Sequence, residues 1–220
     1  MEKRTYRAVA FDLDGTLLNT LEDLANATNE ALAAAGYPTH PVTAYRQFVG
    51  SGLQTLVRRA LPAGSAVSPE SLAELVRRTG DNYARDWAVT TRPYPGIREL
   101  LEELRRRDVP LAVVTNKPHD WTLSMLGHFF PENPFQTVQG AMPGLPHKPD
   151  PTGARNTAQR LGLPTESIAF VGDSDVDMLT AHNAGMGAFG VAWGFRGAEE
   201  LRRAGADRII TNPLEILELV

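Results

Sequence analysis

The chain has 220 residues, 42% hydrophobic and 22% charged, with a formal net charge of −4 and no cysteine. Such proportions suit a globular protein with a sizeable core, and the acidic balance argues against a general nucleic-acid binder. Without cysteine, disulfides, zinc–thiolate centres and a cysteine nucleophile are excluded.

Met1-Glu2-Lys3-Arg4 leads directly into a strand pattern, with no apolar segment of the signal type and no stretch long enough to span a bilayer, so a cytoplasmic location is expected. Ala8–Phe11 reads as a buried strand. Residues 20–92 contain no strand pattern. There Thr20 with Asp23 predicts a capping box, and Leu21, Leu24, Ala25, Thr28, Ala31, Leu32 and Ala35 form one helical stripe. Further helices are predicted at Thr43–Phe48, Leu53–Leu61 and Pro69–Trp87, the last capped by Ser68. Arg92-Pro93-Tyr94-Pro95-Gly96 marks the return to a strand–helix alternation. Leu111–Thr115, Ile168–Gly172, Gly187–Ala192 and Arg208–Thr211 are short apolar runs. Ile97, Leu100, Leu101 and Leu104 make a helical face, Asp150-Pro151 opens a helix closing near Gly162, and Asn212-Pro213 opens a terminal one. Alternating strands and helices imply an α/β fold with a doubly wound parallel sheet. The expected division is a core of residues 1–19 and 93–220 carrying a helical insertion, 20–92. Arginine pairs such as Arg58-Arg59 and Arg77-Arg78 lie beside acids on helical patterns and read as solvated faces.

Open α/β sheets bind ligands outside the carboxyl ends of their strands. At the first such end, Asp12 and Asp14 are two residues apart and leave the strand on one side, with Gly15 permitting a tight turn. The same run also fits an ordinary Asp-Gly turn. After Leu111–Val114 come Thr115 and Asn116, which suit either oxyanion donation or a helix cap. After Ile168–Gly172 comes Asp173-Ser174-Asp175-Val176-Asp177. A calcium loop is excluded, because its sixth and twelfth positions are Met178 and Ala184 rather than Gly and Glu. A strand-to-helix turn puts Asp173 at the strand tip and Asp177 one helical turn on, with Asp175 as a helix cap. Lys148 lies in the proline-bracketed segment His147-Lys148-Pro149-Asp150-Pro151. If Asp12, Asp14, Asp173 and Asp177 converge, each like-charged pair ~4 Å apart costs about 4 kcal/mol at an effective dielectric of ~20. Such a cluster would raise its own pKa values or bind a cation, and oxygen-only ligation favours Mg²⁺ over zinc or copper. With Lys148, Thr115 and Asn116 around it, the ligand that fits best is a phosphoryl group.

Taken in order, FDLDGTLLNT, VVTNK, HKPDP and VGDSDVDM resemble the four motifs of the haloacid dehalogenase-like (HAD) phosphohydrolases. The resemblance implies a Rossmann-like core, and the insertion at 20–92 resembles that family's C1-type cap. It further implies that Asp12 is the nucleophile, forming an aspartyl-phosphate, and Asp14 the general acid and then base. Thr115, Asn116 and Lys148 would hold the phosphoryl group. Asp12, Asp173 and the Asp14 carbonyl would ligate Mg²⁺, with Asp177 supporting the site. Phe48-Val49-Gly50-Ser51-Gly52, Val114–Pro118 and Trp193-Gly194-Phe195-Arg196-Gly197 resemble the phosphoglycolate phosphatase branch, while Asn19 and Ala141-Met142-Pro143 depart from it. The expected substrate is a small phosphorylated metabolite, 2-phosphoglycolate first, acted on by a monomer or homodimer without nucleic-acid or membrane partners. Arg46, Ser51 and Arg58 are candidates for a substrate carboxylate, and Gly50 for a closing cap loop, although Gly50 and Gly52 also fit a plain helix-breaking turn. Inorganic pyrophosphatase, nucleotidase and sugar-phosphate phosphatase or mutase stay open as sister activities, and a non-catalytic binding module as a different class.

Overall fold

The computed structural model describes residues 6–220, so the expectation for Met1–Arg4 lies outside the described residues. In chain order the first part comprises β1 (Ala8–Phe11), β2 (Leu18–Asn19), α1 (Leu21–Ala34), α2 (Tyr45–Phe48), α3 (Leu53–Ala60), α4 (Pro69–Asp86) and β3 (Arg92–Pro93). The second comprises α5 (Ile97–Arg106), β4 (Leu111–Pro118), α6 (His119–Phe129), β5 (Thr137–Ala141), α7 (Thr152–Leu161), β6 (Ile168–Gly172), α8 (Asp175–Ala184), β7 (Gly187–Val191), α9 (Ala198–Arg203) and β8 (Arg208–Ile210). Two compact units result, residues 1–18 with 93–220 and residues 19–92. The chain crossings β2 and β3 pair with each other.

In the larger unit six parallel strands run in the order β5-β4-β1-β6-β7-β8. Every residue of β1 is fully buried, as expected for a strand covered on both faces by helices. The winding direction reverses beside β1. Its register, Phe11 level with Val113 of β4 and Val171 of β6, brings three strand ends to one rim. That rim is the topological switch point at which open α/β sheets bind ligands. Below it Ala8, Ala10, Phe170, Met178 and Ala188 belong to one apolar cluster under α7 and α8. A fully buried Phe contributes about 1.5–3 kcal/mol by leaving water, enough to make Phe11 and Phe170 rigid supports for the rim residues beyond them.

The departures from expectation have physical causes. β5 has no apolar run: Thr137-Val138-Gln139-Gly140-Ala141 is an edge strand, paired on one side only, and so escapes a search for doubly buried strands. β4 continues to Pro118 because an irregularity between Val114 and Pro118 resumes its pairing with β5. The Thr20–Asp23 capping box does not form. Thr20 makes no side-chain cap bond, and Asp23 instead accepts from the backbone N–H and hydroxyl groups of both Thr90 and Thr91 at 2.7–3.1 Å. Ser68 does cap α4, its hydroxyl accepting from the Ser71 N–H. Residues 42–44 are a 3₁₀ turn ahead of the single-turn α2, and the terminal segment Pro213–Glu218 is 3₁₀ rather than α-helical. α7 starts at Thr152, with Asp150 accepting from the Thr152 N–H. Among the described residues no helix is long and apolar enough to cross a membrane.

Candidate active site

Asp12 is the first residue past β1, and its N–H donates to the Val171 carbonyl of β6, which continues the sheet one step beyond the strand. Its Oδ1 accepts from the Lys148 ammonium at 2.8 Å. The same ammonium donates to Asp177 Oδ1 at 2.6 Å and to the Val114 carbonyl at 3.0 Å. Lys148 is thus tied to the residue after β1, to β4 and to the first turn of α8, and its side chain is only 5% exposed. Asn116 fixes it from behind, donating from Nδ2 to the Lys148 carbonyl (3.1 Å) and accepting from the Lys148 N–H at Oδ1 (2.8 Å). The Asn116 side-chain amide thus clamps the lysine's backbone. The Thr115 hydroxyl accepts from the Lys117 N–H at 3.3 Å, which leaves its own proton to donate.

The third strand end is built around the start of α8. The N-cap is Ser174, not Asp175. Asp177 completes a capping box, its Oδ2 accepting from the Ser174 N–H (3.0 Å) and hydroxyl (2.6 Å). With Oδ1 on Lys148, both oxygens of Asp177 are engaged. Asp173 Oδ2 accepts from the Phe195 N–H at 2.6 Å. Trp193 anchors the same loop by donating from Nε1 to the Thr16 carbonyl at 3.0 Å. This is possible because Gly15 and Gly194 lack side chains: a Cβ on either would collide with Asp173. Carboxylate oxygens of Asp12, Asp173 and Asp177 lie within 4.8 Å of one another.

The charge balance explains the electrostatics. Burial pushes the Asp12 carboxyl up to about 6; Lys148 opposes that shift, while Asp177 and Asp14 add to it. Burial, with Asp177 and Asp12 nearby, raises Asp173 well above the usual carboxylate range. Burial alone would strip the charge from Lys148, but Asp12 and Asp177 outweigh it and hold the ammonium above its ordinary value. Lys148 serves Asp12 and Asp177 directly, and the cation that opposes the rise at Asp173 is the more weakly acting Arg196 guanidinium, so the acids are short of positive charge. A divalent cation fits this deficit. The donors are all oxygen, as hard divalent ions require, and Asp12 Oδ2 and Asp173 Oδ1 are the oxygens not used in the bonds above.

Asp14 stands apart from that trio. Its two oxygens accept from the Lys117 ammonium at 3.0 and 3.1 Å. Lys117, Ser174 and the loop 193–196 are parts of the site to which sequence motifs alone assign no role. Two signals were visible: Lys117 directly follows Asn116, and Ser174 stands three residues before Asp177, the capping-box spacing. The bond from the Phe195 N–H had none, since any residue supplies one. In the helical unit, Arg46 and Arg58 are exposed, and Gly50 and Ser51 are half-buried. Gly50 and Gly52 hold φ of 119° and 85°, a left-handed turn between α2 and α3, and the neighbouring Arg59 braces it through the Gln47 and Phe48 carbonyls. The turn is therefore present; no contact with a ligand follows from it.

The family model of haloacid dehalogenase-like hydrolases matches residues 9–191, from the middle of β1 to the end of β7. The chain belongs to this family. Among the haloacid dehalogenase-like hydrolases it is 33% identical over 225 residues to a phosphoglycolate phosphatase of Vibrio parahaemolyticus, covering all of this chain and 98% of that one. It is 34% identical to the phosphoglycolate phosphatase of Mannheimia succiniciproducens, covering 98% of each. The crystal structure of a predicted phosphoglycolate phosphatase from Haemophilus somnus superimposes with a TM-score of 0.90 at 30% identity, covering 97% of both chains. The likeness thus extends over essentially the whole length of the chain.

Proposed function

We propose that this hydrolase is a Mg²⁺-dependent phosphomonoesterase that works through an aspartyl-phosphate on Asp12, with 2-phosphoglycolate as its preferred substrate. The observation that carries the reading is the single buried Lys148 joining Asp12 and Asp177 beside Asp173 at the sheet's switch point. A carboxylate of the Asp12 type attacks phosphorus, and the bond to the ester oxygen breaks. Asp14 gives that oxygen its proton. Asp14 then takes a proton from water as the water attacks the phosphorus, releasing phosphate and restoring Asp12. Lys148 keeps Asp12 ionised and offsets the charge on the transferring group, and the Thr115 hydroxyl donates to one of its oxygens. Asp12 and Asp173 would hold the divalent ion, which supplies electrostatic stabilisation of the phosphoryl oxygens. Residues 20–92 act as the cap in this reading, with Arg46, Ser51 and Arg58 the candidates for the substrate carboxylate and Gly50 part of the loop that carries them.

The preference for 2-phosphoglycolate draws on the names of the two full-length relatives and on the cap sequence around Gly50. A panel of phosphoesters assayed as kcat/KM tests it. The highest value is expected for 2-phosphoglycolate, and a higher one for pyrophosphate, a nucleotide or a hexose phosphate overturns the substrate. Asp12→Asn is expected to abolish turnover of every ester in a folded protein, and retained turnover removes the nucleophile assignment. Arg46→Ala and Arg58→Ala are expected to raise KM for 2-phosphoglycolate; an unchanged KM removes them from the site.

A further inference from the structure

A second buried cation at the same rim takes no part in the steps above. Lys117 is 6% exposed, and lysines are almost never that buried unless paired. Its ammonium reaches both oxygens of Asp14, at 3.0 and 3.1 Å, so the bond sets the plane of the carboxylate as well as its position. The backbone delivering it is held. Lys117 falls within the irregular stretch of β4 between Val114 and Pro118, a feature that re-aims side chains at the ends of strands. The Thr122 hydroxyl donates to the Pro118 carbonyl at 3.0 Å, and Gly140 of β5 leaves the room that the Lys117 carbonyl needs. Asp14 is held from its own side by the turn after it, where Gly15 N–H donates to Leu18 and Leu17 N–H to Leu13. With both backbones fixed, the side-chain torsions of Asp14 are the remaining freedom, and Lys117 removes it.

We propose that Lys117 is a positioning residue for Asp14, and that this pair makes the site competent for alkyl phosphomonoesters, whose leaving oxygen departs only with a proton. The proposal rests on the proton-transfer role given to Asp14 above. The chemistry separates positioning from a merely structural ion pair. An alkyl ester needs the donor on its line, whereas a nitrophenolate leaves as a stable anion. Misplacing a catalytic group by about 1 Å costs on the order of 100-fold in rate.

The test compares kcat/KM for 2-phosphoglycolate and p-nitrophenyl phosphate in the wild type, Lys117→Met, Lys117→Arg and Asp14→Asn, because kcat/KM ends at phosphoryl transfer and excludes hydrolysis of the common aspartyl-phosphate. Lys117→Met is expected to lose roughly 10- to 100-fold on the alkyl ester and at least tenfold less on the aryl ester. Lys117→Arg, which keeps the charge, is expected to recover part of the alkyl rate. Equal losses on both esters overturn the proposal. If Lys117→Met does not fold, Lys117→Gln gives the same comparison. Asp14→Asn separates the two layers. A leaving-group preference there without one in Lys117→Met removes Lys117 alone, and no preference in Asp14→Asn removes the acid role and the proposal with it.

Discussion

Replacing Lys148 by Met removes one charge from a place where three groups depend on it. The ammonium contacts Asp12 at 2.8 Å and Asp177 at 2.6 Å, and each contact is worth about 6 kcal/mol of attraction at an effective dielectric of ~20. Most of that offsets the cost of burying the charges, so breaking the arrangement is expected to cost about 3–5 kcal/mol, the range for a buried pair that loses one partner. For a chain of this size, about 4 kcal/mol corresponds to a fall in melting temperature of roughly 8–16 °C. The loss depends on pH. In the wild type Asp12 is already raised from 3.8 to about 6. Without Lys148 its folded value rises further, while the unfolded value stays at 3.8, so the folded variant binds the proton more tightly than the unfolded chain does. The proton then substitutes for the ammonium at low pH, and the variant's stability falls as pH rises from about 4 through its new folded value. Each pH unit above 6 over which the variant keeps that proton and the wild type does not adds about 1.4 kcal/mol to the difference. The penalty is expected near 4 kcal/mol at pH 8 and roughly 1–2 kcal/mol at pH 5. Thermal melts of both proteins in excess chelator at the two pH values measure this. Equal depressions at pH 5 and pH 8, or none at pH 8, would refute this charge balance.

Chelation followed by titration with Mg²⁺ is expected to abolish and then restore turnover, and to raise the melting temperature at pH 8, because the cation offsets repulsion among Asp12, Asp173 and Asp177. Chelator-insensitive turnover contradicts it. Gly194→Ala drives a methyl group into Asp173 and is expected to cost about 1–3 kcal/mol in thermal melts together with most of the activity; a wild-type melt with full activity speaks against the close approach. In the helical unit burial works to raise the Asp23 pKa, but the bonds from Thr90 and Thr91 outweigh it and hold the carboxyl below 3.8. Its stabilisation is therefore present above about pH 4 and lost as pH falls through the depressed folded value. Far-UV melts between pH 5 and 2.5 are expected to show a shallower acid loss for Asp23→Asn than for the wild type, and parallel slopes reject the assignment.

The parts of this molecule legible in sequence are those written by a local rule. Ala8–Phe11 and Ile168–Gly172 are apolar because both faces are covered, and the acids after them sit where each strand must end. β5 carries no such signal because an edge strand needs only one partner and tolerates Gln139 and Gly140. Asp23 departs from its expected role for a related reason: the capping-box spacing is local, but the Thr90 and Thr91 groups that bind it are 67 and 68 residues away. Asn116 shows the same limit at the site. Its residue type suggests an amide that forms hydrogen bonds, and only the folded chain brings the Lys148 backbone to both ends of it.

The two lysines divide the four acids of the rim between them, and that division bears on why a doubly charged ion suits it. Lys148 bridges Asp12 and Asp177, and Lys117 pairs with Asp14. Counting lysines alone, two ammonium groups face four carboxylates, and the one acid without a lysine is Asp173, whose pKa is raised by burial well above its ordinary range although Arg196 opposes the rise. A monovalent cation would leave that edge negative and repel a phosphate ester. A divalent cation held by Asp12 and Asp173 would neutralise it and leave both lysines in place, one on the proposed nucleophile and one on the proposed proton donor. Moving a lysine to Asp173 instead would free either the Asp12 or the Asp14 side chain to turn away. The arrangement of positive charge therefore follows from which acids must be held still.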